Sequence, residues 1–371
     1  MAPAAGAVPP LLDRLLRTPG PSGFESGPVA VWRAAVEASA EVSEDALGSV
    51  LARVRPRESA QSREPGEPVT SGASAMSAPT AGIFTHIDEI GLIVKAISPE
   101  GFLLVENIGG WDPQILVGQR IEVLTASGPR LGVIGRKAIH GLTAEERKTA
   151  VALKDLRIDI GAADREQAAA SVEIGDPAVI AAEPILLGDS PGGRLVSRSL
   201  DNRISAYIAA EAIRRLAESG GAPGAVVAVA SVQEETTYAG ARTAAYAAGL
   251  DIAVVIDVTQ ASDAPGGSYE LSGDHRLGSG PVITRGAHSN PQLVAALRST
   301  AEQAGIPYTL MAAGGLTATD ADAVHSSRGG IPTVVLNVPL RYMHSPVEMV
   351  QLSDVEHTIG LLLAFLDSLG G

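Results

Sequence analysis

The stretch Ala230-Ser231-Val232-Gln233-Glu234-Glu235 ends a run of small and β-branched residues in two adjacent carboxylates. The run Ala225–Val232 reads as a buried strand, and the carboxylates stand where it should stop. Side chains alternate along a strand, so neighbours point apart. One carboxylate can then bind a metal while the other faces a water. Alone, the pair would read as a solvated loop, because carboxylates are mostly exposed. Its company changes that reading. In His86-Ile87-Asp88, alternation sets an imidazole and a carboxylate on one face. That arrangement suits a metal-ligating histidine oriented by an acid behind it. Asp201 stands before a helix pattern, where an aspartate also suits a cap. Asp257 lies near the end of the strand pattern Asp251–Val258, and His344 follows the strand pattern Ile331–Val338. Two histidines and three carboxylates (Asp201, Glu235 and Asp257) suffice for two divalent ions if one carboxylate bridges. Such ions lie about 3.5–4 Å apart in two-metal hydrolases. Glu234 is left over, free to take a proton from a shared water and pass it to a leaving amine.

Composition narrows the chemistry. The chain has 371 residues and no cysteine, which excludes thiolate zinc sites, a thiol nucleophile and a disulfide framework. Any metal must sit on histidine and carboxylate; zinc and cobalt are expected first, and manganese also accepts these ligands. The net charge of −14 argues against nucleic acid or an anionic membrane as partner. Met1–Arg17 lacks a basic start followed by an apolar run, and no charge-free apolar run reaches spanning length, so a cytoplasmic protein is expected. Hydrophobic residues make up 45% and aromatics only 3%, so aliphatic side chains must build the core.

The positioning elements follow from periodicity. Helices are predicted over Ala7–Arg17, Ser26–Ala40, Ile204–Glu218, Ala241–Ala248, Gln292–Gly305 and Val355–Leu369. Strands are predicted over Ser49–Val54, Ala81–Thr85, Ala225–Val232, Asp251–Val258, Tyr308–Ala312 and Ile331–Val338. Alternating elements imply an α/β sheet flanked by helices, with ligands gathered at the carboxyl ends of its strands. From about Leu92 to Ile180 the texture changes to short alternating segments between Gly, Pro and Asn turns, as in a small β-barrel. Residues 1–91 and 181–371 would then form one catalytic domain around an insert at 92–180. Arg55–Thr80, rich in Pro, Ser, Glu and Gly, reads as a surface loop. Trp111 is expected either at an interface or in a packed turn.

His86-Ile-Asp88-Glu-Ile-Gly, Ile108-Gly-Gly-Trp-Asp-Pro-Gln, Leu200-Asp201-Asn202-Arg203, Val232-Gln-Glu234-Glu235, Asp257-Val-Thr, Thr319-Asp320-Ala321 and Arg341-Tyr-Met-His344-Ser-Pro occur in order along the chain. As a set they resemble the tetrahedral, or TET-type, dinuclear-metal aminopeptidases. That family includes glutamyl and deblocking aminopeptidases and some members labelled endoglucanase. The resemblance runs from about Leu11 to the C-terminus. It implies a zinc-exopeptidase-like fold interrupted by a PDZ-like β domain used in dimer contacts. It implies a metal-dependent aminopeptidase that acts on peptides and assembles as dimers or hollow dodecamers. By the same resemblance, His86 and Asp257 would hold one metal, Glu235 and His344 the other, and Asp201 would bridge them. Glu234 would be the general base and Asp88 would orient His86. His140, His288 and His325 match no metal position of the family.

Three departures stand out: a longer Arg55–Thr80 loop, Thr236-Thr237-Tyr238 after the glutamates, and a longer Gly315–Asp320 segment. The main rival is a related amidohydrolase, a carboxypeptidase or deacylase, with a similar metal pair. Glycoside hydrolysis by paired carboxylates fits less well. Adjacent glutamates do not flank one glycosidic bond, and that chemistry leaves His86 and His344 idle.

Overall fold

The structure is a computed structural model that describes residues 8–57, 78–188 and 192–370. Most of the Arg55–Thr80 segment lies outside the described residues. The chain opens with helices Pro10–Arg17 and Ser26–Val36, then strands β1 (Glu41–Glu44), β2 (Val50–Val54) and β3 (Ala81–His86). Six strands follow: β4 (Gly91–Ile97), β5 (Leu103–Ile108), β6 (Arg120–Thr125), β7 (Gly128–Ile134), β8 (Ile158–Asp159) and β9 (Pro177–Ile180). They close into a barrel in the order β4-β5-β8-β7-β6-β9 around Leu92, Val105, Ile121 and Ile158. Trp111 packs against this core, and its indole N–H donates to the Gly91 carbonyl at 2.9 Å.

The chain then returns through β10 (Ile185–Leu187) and β11 (Arg194–Ser197) to the long helix Leu200–Glu218. The remaining strands are β12 (Val226–Ser231), β13 (Ile252–Gln260), β14 (Val282–Gly286), β15 (Thr309–Ala313), β16 (Thr333–Leu340) and β17 (Glu348–Gln351). Eight strands form one mixed sheet in the order β1-β2-β12-β3-β13-β16-β14-β15. Its centre, β12-β3-β13-β16, is parallel. Parallel strands are covered on both faces, which is why these segments are nearly continuous runs of Val, Ile and Ala.

Alternation sorts those side chains between two cores. Ala228, Ala230, Val254 and Ile256 face helices Leu200–Glu218, Pro10–Arg17 and Leu352–Ser368. Val227, Val229, Phe84 and Val255 face helices Ala239–Ala247 and Ala321–Val324. Burying a side chain of this size contributes about 1.5–3 kcal/mol, so the two cores hold the central strands rigidly. The second helix of the chain stops at Val36, short of the predicted Ala40; the chain turns there and enters β1, which pairs antiparallel with β2. Among the described residues, no helix is long and apolar enough to cross a membrane.

Candidate metal centre and active site

The parallel centre of the sheet brings the predicted residues together. On adjacent strands β3 and β13, Phe84 pairs with Val255. Two residues further along each strand, on the same face, stand His86 and Asp257. Register alone therefore puts an imidazole beside a carboxylate. Asp257 lies inside β13 rather than near its end, because pairing with β16 continues to Gln260–Leu340.

Beyond Ser231 the next strand turns sharply. Gln233 adopts φ 60°, and Glu234–Thr237 forms a single helical turn. Gly240 makes that turn possible: a Cβ there would meet the Val232 carbonyl oxygen at 2.4 Å. Asp88 fastens the turn from the neighbouring strand, accepting the backbone N–H groups of Glu234 and Glu235, each at 3.1 Å.

Asp201 enters from the start of helix Leu200–Glu218, where Asp201 and Asn202 are not helical and the peptide between them is cis. Asn202 pins this entry to the sheet by donating to the Ile256 carbonyl at 3.1 Å. Arg203 is fully buried and donates to the carbonyls of Leu15 and Thr18, tying the N-terminal segment to the same corner. His344 follows β16 in a loop with φ 59°. All six predicted positions thus meet in one cleft, with Asp88 beneath it.

Distances divide the cleft in two. His86 Nε2 lies 3.2 Å from Asp201 Oδ1 and 3.9 Å from Asp257 Oδ1. His344 Nε2 lies 3.5 Å from both Asp201 Oδ2 and Glu235 Oε1. The two triads share Asp201, one oxygen facing each histidine. Glu234 Oε2 is 3.7 Å from His86 Nε2, and His86 Nδ1 is 3.4 Å from Asp88 Oδ1.

The donors fit divalent ions. A tetrahedral ion with bonds of about 2.0–2.1 Å sets neighbouring ligand atoms about 3.3–3.4 Å apart, close to the spacings found. Each triad, His86-Asp201-Asp257 and Asp201-Glu235-His344, offers three ligand atoms within 4.8 Å of one another, as do His86, Glu234 and Glu235. The charge balance asks for cations as well. Burial raises the carboxyls of Glu234 and Asp257 well above the usual range, and nearby carboxylates add to this. Burial also raises Glu235. Desolvation alone would lower the two imidazoles. It is outweighed by Glu234, Asp201 and Asp88 around His86, and by Asp201 and Glu235 around His344, which is held up to about 11. Burial disfavours the Asp201 carboxylate, but hydrogen bonding to His344 and His86 outweighs it and holds the group below the usual range. So many acids around two imidazoles form a site that protons or metal ions must neutralise.

Three further acids support the cleft. Glu348, buried on β17, accepts the backbone N–H groups of Asp201 at 3.0 Å and His344 at 2.9 Å. Glu25 accepts from the backbone of Gly23 at 2.7 Å and Gln233 at 3.0 Å. Asp320 is fully buried and accepts from the Ser231 hydroxyl; burial lifts it to about 6. Asp320 stood in the motif Thr319-Asp320-Ala321, whereas Glu25 and Glu348 carried no signal in the sequence. The histidines expected to be idle stand apart from both triads. His288 and His325 stack 4.2 Å apart, with His288 paired to Asp322 at 2.7 Å. His140 sits in an exposed turn of the barrel's β7–β8 excursion.

Comparisons with known proteins place the chain in a family. The family model described as M42 glutamyl aminopeptidase matches residues 68–361. The chain is similar to the lysyl aminopeptidase of Pyrococcus furiosus, 32% identical over 97% of this chain and 96% of that protein. It is similar in structure to a TET aminopeptidase from Thaumarchaeota archaeon SCGC AB-539-E09, with TM-score 0.85 and 34% identity over 96% of this chain and 95% of that one. The Pyrococcus horikoshii TET1 peptidase, which can assemble into a tetrahedron or a large octahedral shell, superimposes with TM-score 0.80 and 30% identity over 96% and 98% of the two chains. The chain is a hydrolase and belongs to the M42 family of metal-dependent aminopeptidases.

Proposed function

We propose that this chain removes N-terminal residues from peptides at a centre of two divalent ions. His86, Asp201 and Asp257 would hold one, and His344, Asp201 and Glu235 the other. The observation that carries the reading is the sharing of Asp201, whose two oxygens lie 3.2 Å and 3.5 Å from the two histidines. Zinc and cobalt fit a donor set of imidazole and carboxylate without thiolate, and manganese accepts it too. When bound, such ions polarise the scissile carbonyl and lower the pKa of a water.

The chain's own groups do the rest. Glu234 lines the same cavity, with Oε2 3.7 Å from His86 Nε2, and belongs to neither proposed ligand set. It takes the proton of the attacking water and returns it to the leaving amine. Its backbone N–H is fixed on Asp88, so the base and the strand carrying His86 keep one geometry. Asp88 also sets the orientation of the His86 ring from its Nδ1 side. Membership of an aminopeptidase family supports cleavage at the N-terminal end over the carboxypeptidase and deacylase alternatives.

The barrel strands Gly91–Ile180 are read as a PDZ-like insert that joins copies of the chain. Leu131 and Val133 on β7 expose large apolar side chains, which supports a buried role for this face in a homo-oligomer. The shells formed by TET1 support a homo-oligomer, expected between dimer and dodecamer.

The test is chelator treatment, reconstitution with zinc, cobalt or manganese, and assay on matched unblocked and N-blocked peptides. Turnover is expected to vanish on chelation, return with metal, and need a free N-terminus. No turnover of unblocked peptides with any of the three metals would contradict a metal-dependent aminopeptidase.

A further inference from the structure

The walls of the cleft restrict the chemistry of the substrate side chain that can enter it. A cavity of about 290 Å³ opens over the two triads and Glu234. Its remaining lining is Gly110, Tyr238, Val258, Ala318 and Met343. A substrate whose amine and scissile carbonyl lie on the triads must direct its first side chain among these five. Among the described residues, no lysine or arginine lines the cavity. The arginines of the neighbouring loops are engaged elsewhere: Arg198 on Glu89, and Arg341 on Asp263 at 2.6 Å.

Among the described residues, no carboxylate at the cavity outside the triads and Glu234 is free to receive a cationic side chain either. Asp322 is the nearest acid on the Ala318 loop. It is filled by the N–H groups of Thr317 and Ala318, the Thr317 hydroxyl and His288. Asp320 is buried beneath, on the Ser231 hydroxyl. Among the described residues, the one polar wall side chain outside the triads and Glu234 is the Tyr238 phenol. Burial, with Glu234 and Asp322 adding to it, pushes it up to about 12, so it is a neutral donor at physiological pH. Tyr238 is held by a backbone at φ 55° between two helical turns, and its ring packs on the core beside Ala241 and Ala321.

We infer that the residue this chain removes carries an uncharged, mainly apolar side chain of leucine or methionine size, and that glutamyl and lysyl N-termini are poor substrates. The inference rests on the aminopeptidase reading and goes beyond it, since neither the family description nor the lysyl relative points this way. An acidic side chain would lie among Tyr238, Val258, Ala318 and Met343 with no basic side chain to receive it, the ions being already neutralised by Asp201, Glu235 and Asp257. A lysyl ammonium would enter an apolar wall without an acceptor. Either mismatch costs far more than a missing methylene.

The test uses the full-length protein reconstituted with zinc or cobalt and the unblocked p-nitroanilides of leucine, methionine, glutamate and lysine. Leucyl and methionyl substrates are expected to exceed the two charged ones in kcat/KM by about 100-fold. A charged substrate within about tenfold of leucyl would overturn the inference. Calorimetry on the metal-loaded Glu234→Gln protein gives a second reading that needs no turnover. Free leucine should bind at least about tenfold more tightly than glutamate or lysine. If none of the four substrates is cleaved, the aminopeptidase reading falls, and calorimetry still judges the cavity. Leucine bound more tightly would sustain the preference; glutamate or lysine bound as tightly would overturn it.

Discussion

Asp88 Oδ1 accepts the backbone N–H of Glu234 at 3.1 Å, while the same oxygen lies 3.4 Å from His86 Nδ1. One buried carboxylate therefore locks a proposed ligand on β3 to the proposed base beyond β12. Asp88→Asn keeps the shape and one acceptor oxygen but removes the charge. Metal affinity is expected to weaken by about 10–100-fold, as for other groups behind a metal-bound histidine. Competition titration against a chromophoric chelator measures this. Unchanged affinity would contradict the orienting role.

Glu234 belongs to neither triad that shares Asp201. Glu234→Gln is expected to bind metal as the parent does and to lose about 10²–10⁴-fold in kcat. Metal content and steady-state kinetics on one preparation decide it. Near-parental turnover would remove Glu234 as the base.

Glu348 holds the backbone at Asp201 and His344 from a buried position on β17. Glu348→Ala would leave two N–H groups without their acceptor, at a cost of about 1–3 kcal/mol for each. A lower melting temperature is expected in metal-free protein, with metal bound less tightly. Glu348→Gln should recover part of both, since its amide oxygen can accept one of the two N–H groups. Equal stability of the Ala variant and the parent would contradict this bracing.

The cleft was legible in the sequence where chemistry sits beside a strong local pattern. His86 and Glu234-Glu235 follow buried runs of Ala, Val and Ile, and strand alternation placed His86 and Asp88 together. Asp257 was found on its strand but set too near the end, since strand length there depends on pairing with β16. Glu348 gave no signal, because its role arises only when β17 pairs with β11 and lifts it under Asp201. The same holds for β11, β14 and β17 themselves: short strands whose partners lie far along the chain. Six short strands between Gly91 and Ile180 occupy the predicted β-rich block. β8, with two residues, is specified by the strands around it rather than by its own pattern.

Glu25 supports the turn at Gln233, and burial, with Asp88 adding to it, raises its carboxyl from 4.5 to about 7. In the unfolded chain the group ionises first as pH rises. The stability it contributes is therefore complete below about 4.5 and is lost as pH climbs through about 7. Glu25→Gln keeps an acceptor for Gln233 and cannot ionise. Its melting temperature relative to the parent is expected to rise from pH 4.5 to pH 8 and then level off. Thermal melts across that range test the sign; a gap that narrows with pH would contradict it.

The central claim is that two ions share Asp201. The most direct measurement is an anomalous difference map from crystals grown with cobalt. Two peaks about 3.5–4 Å apart are expected, one beside His86 and Asp257, the other beside His344 and Glu235, with Asp201 between them. A single peak, or two peaks that do not share Asp201, would contradict it.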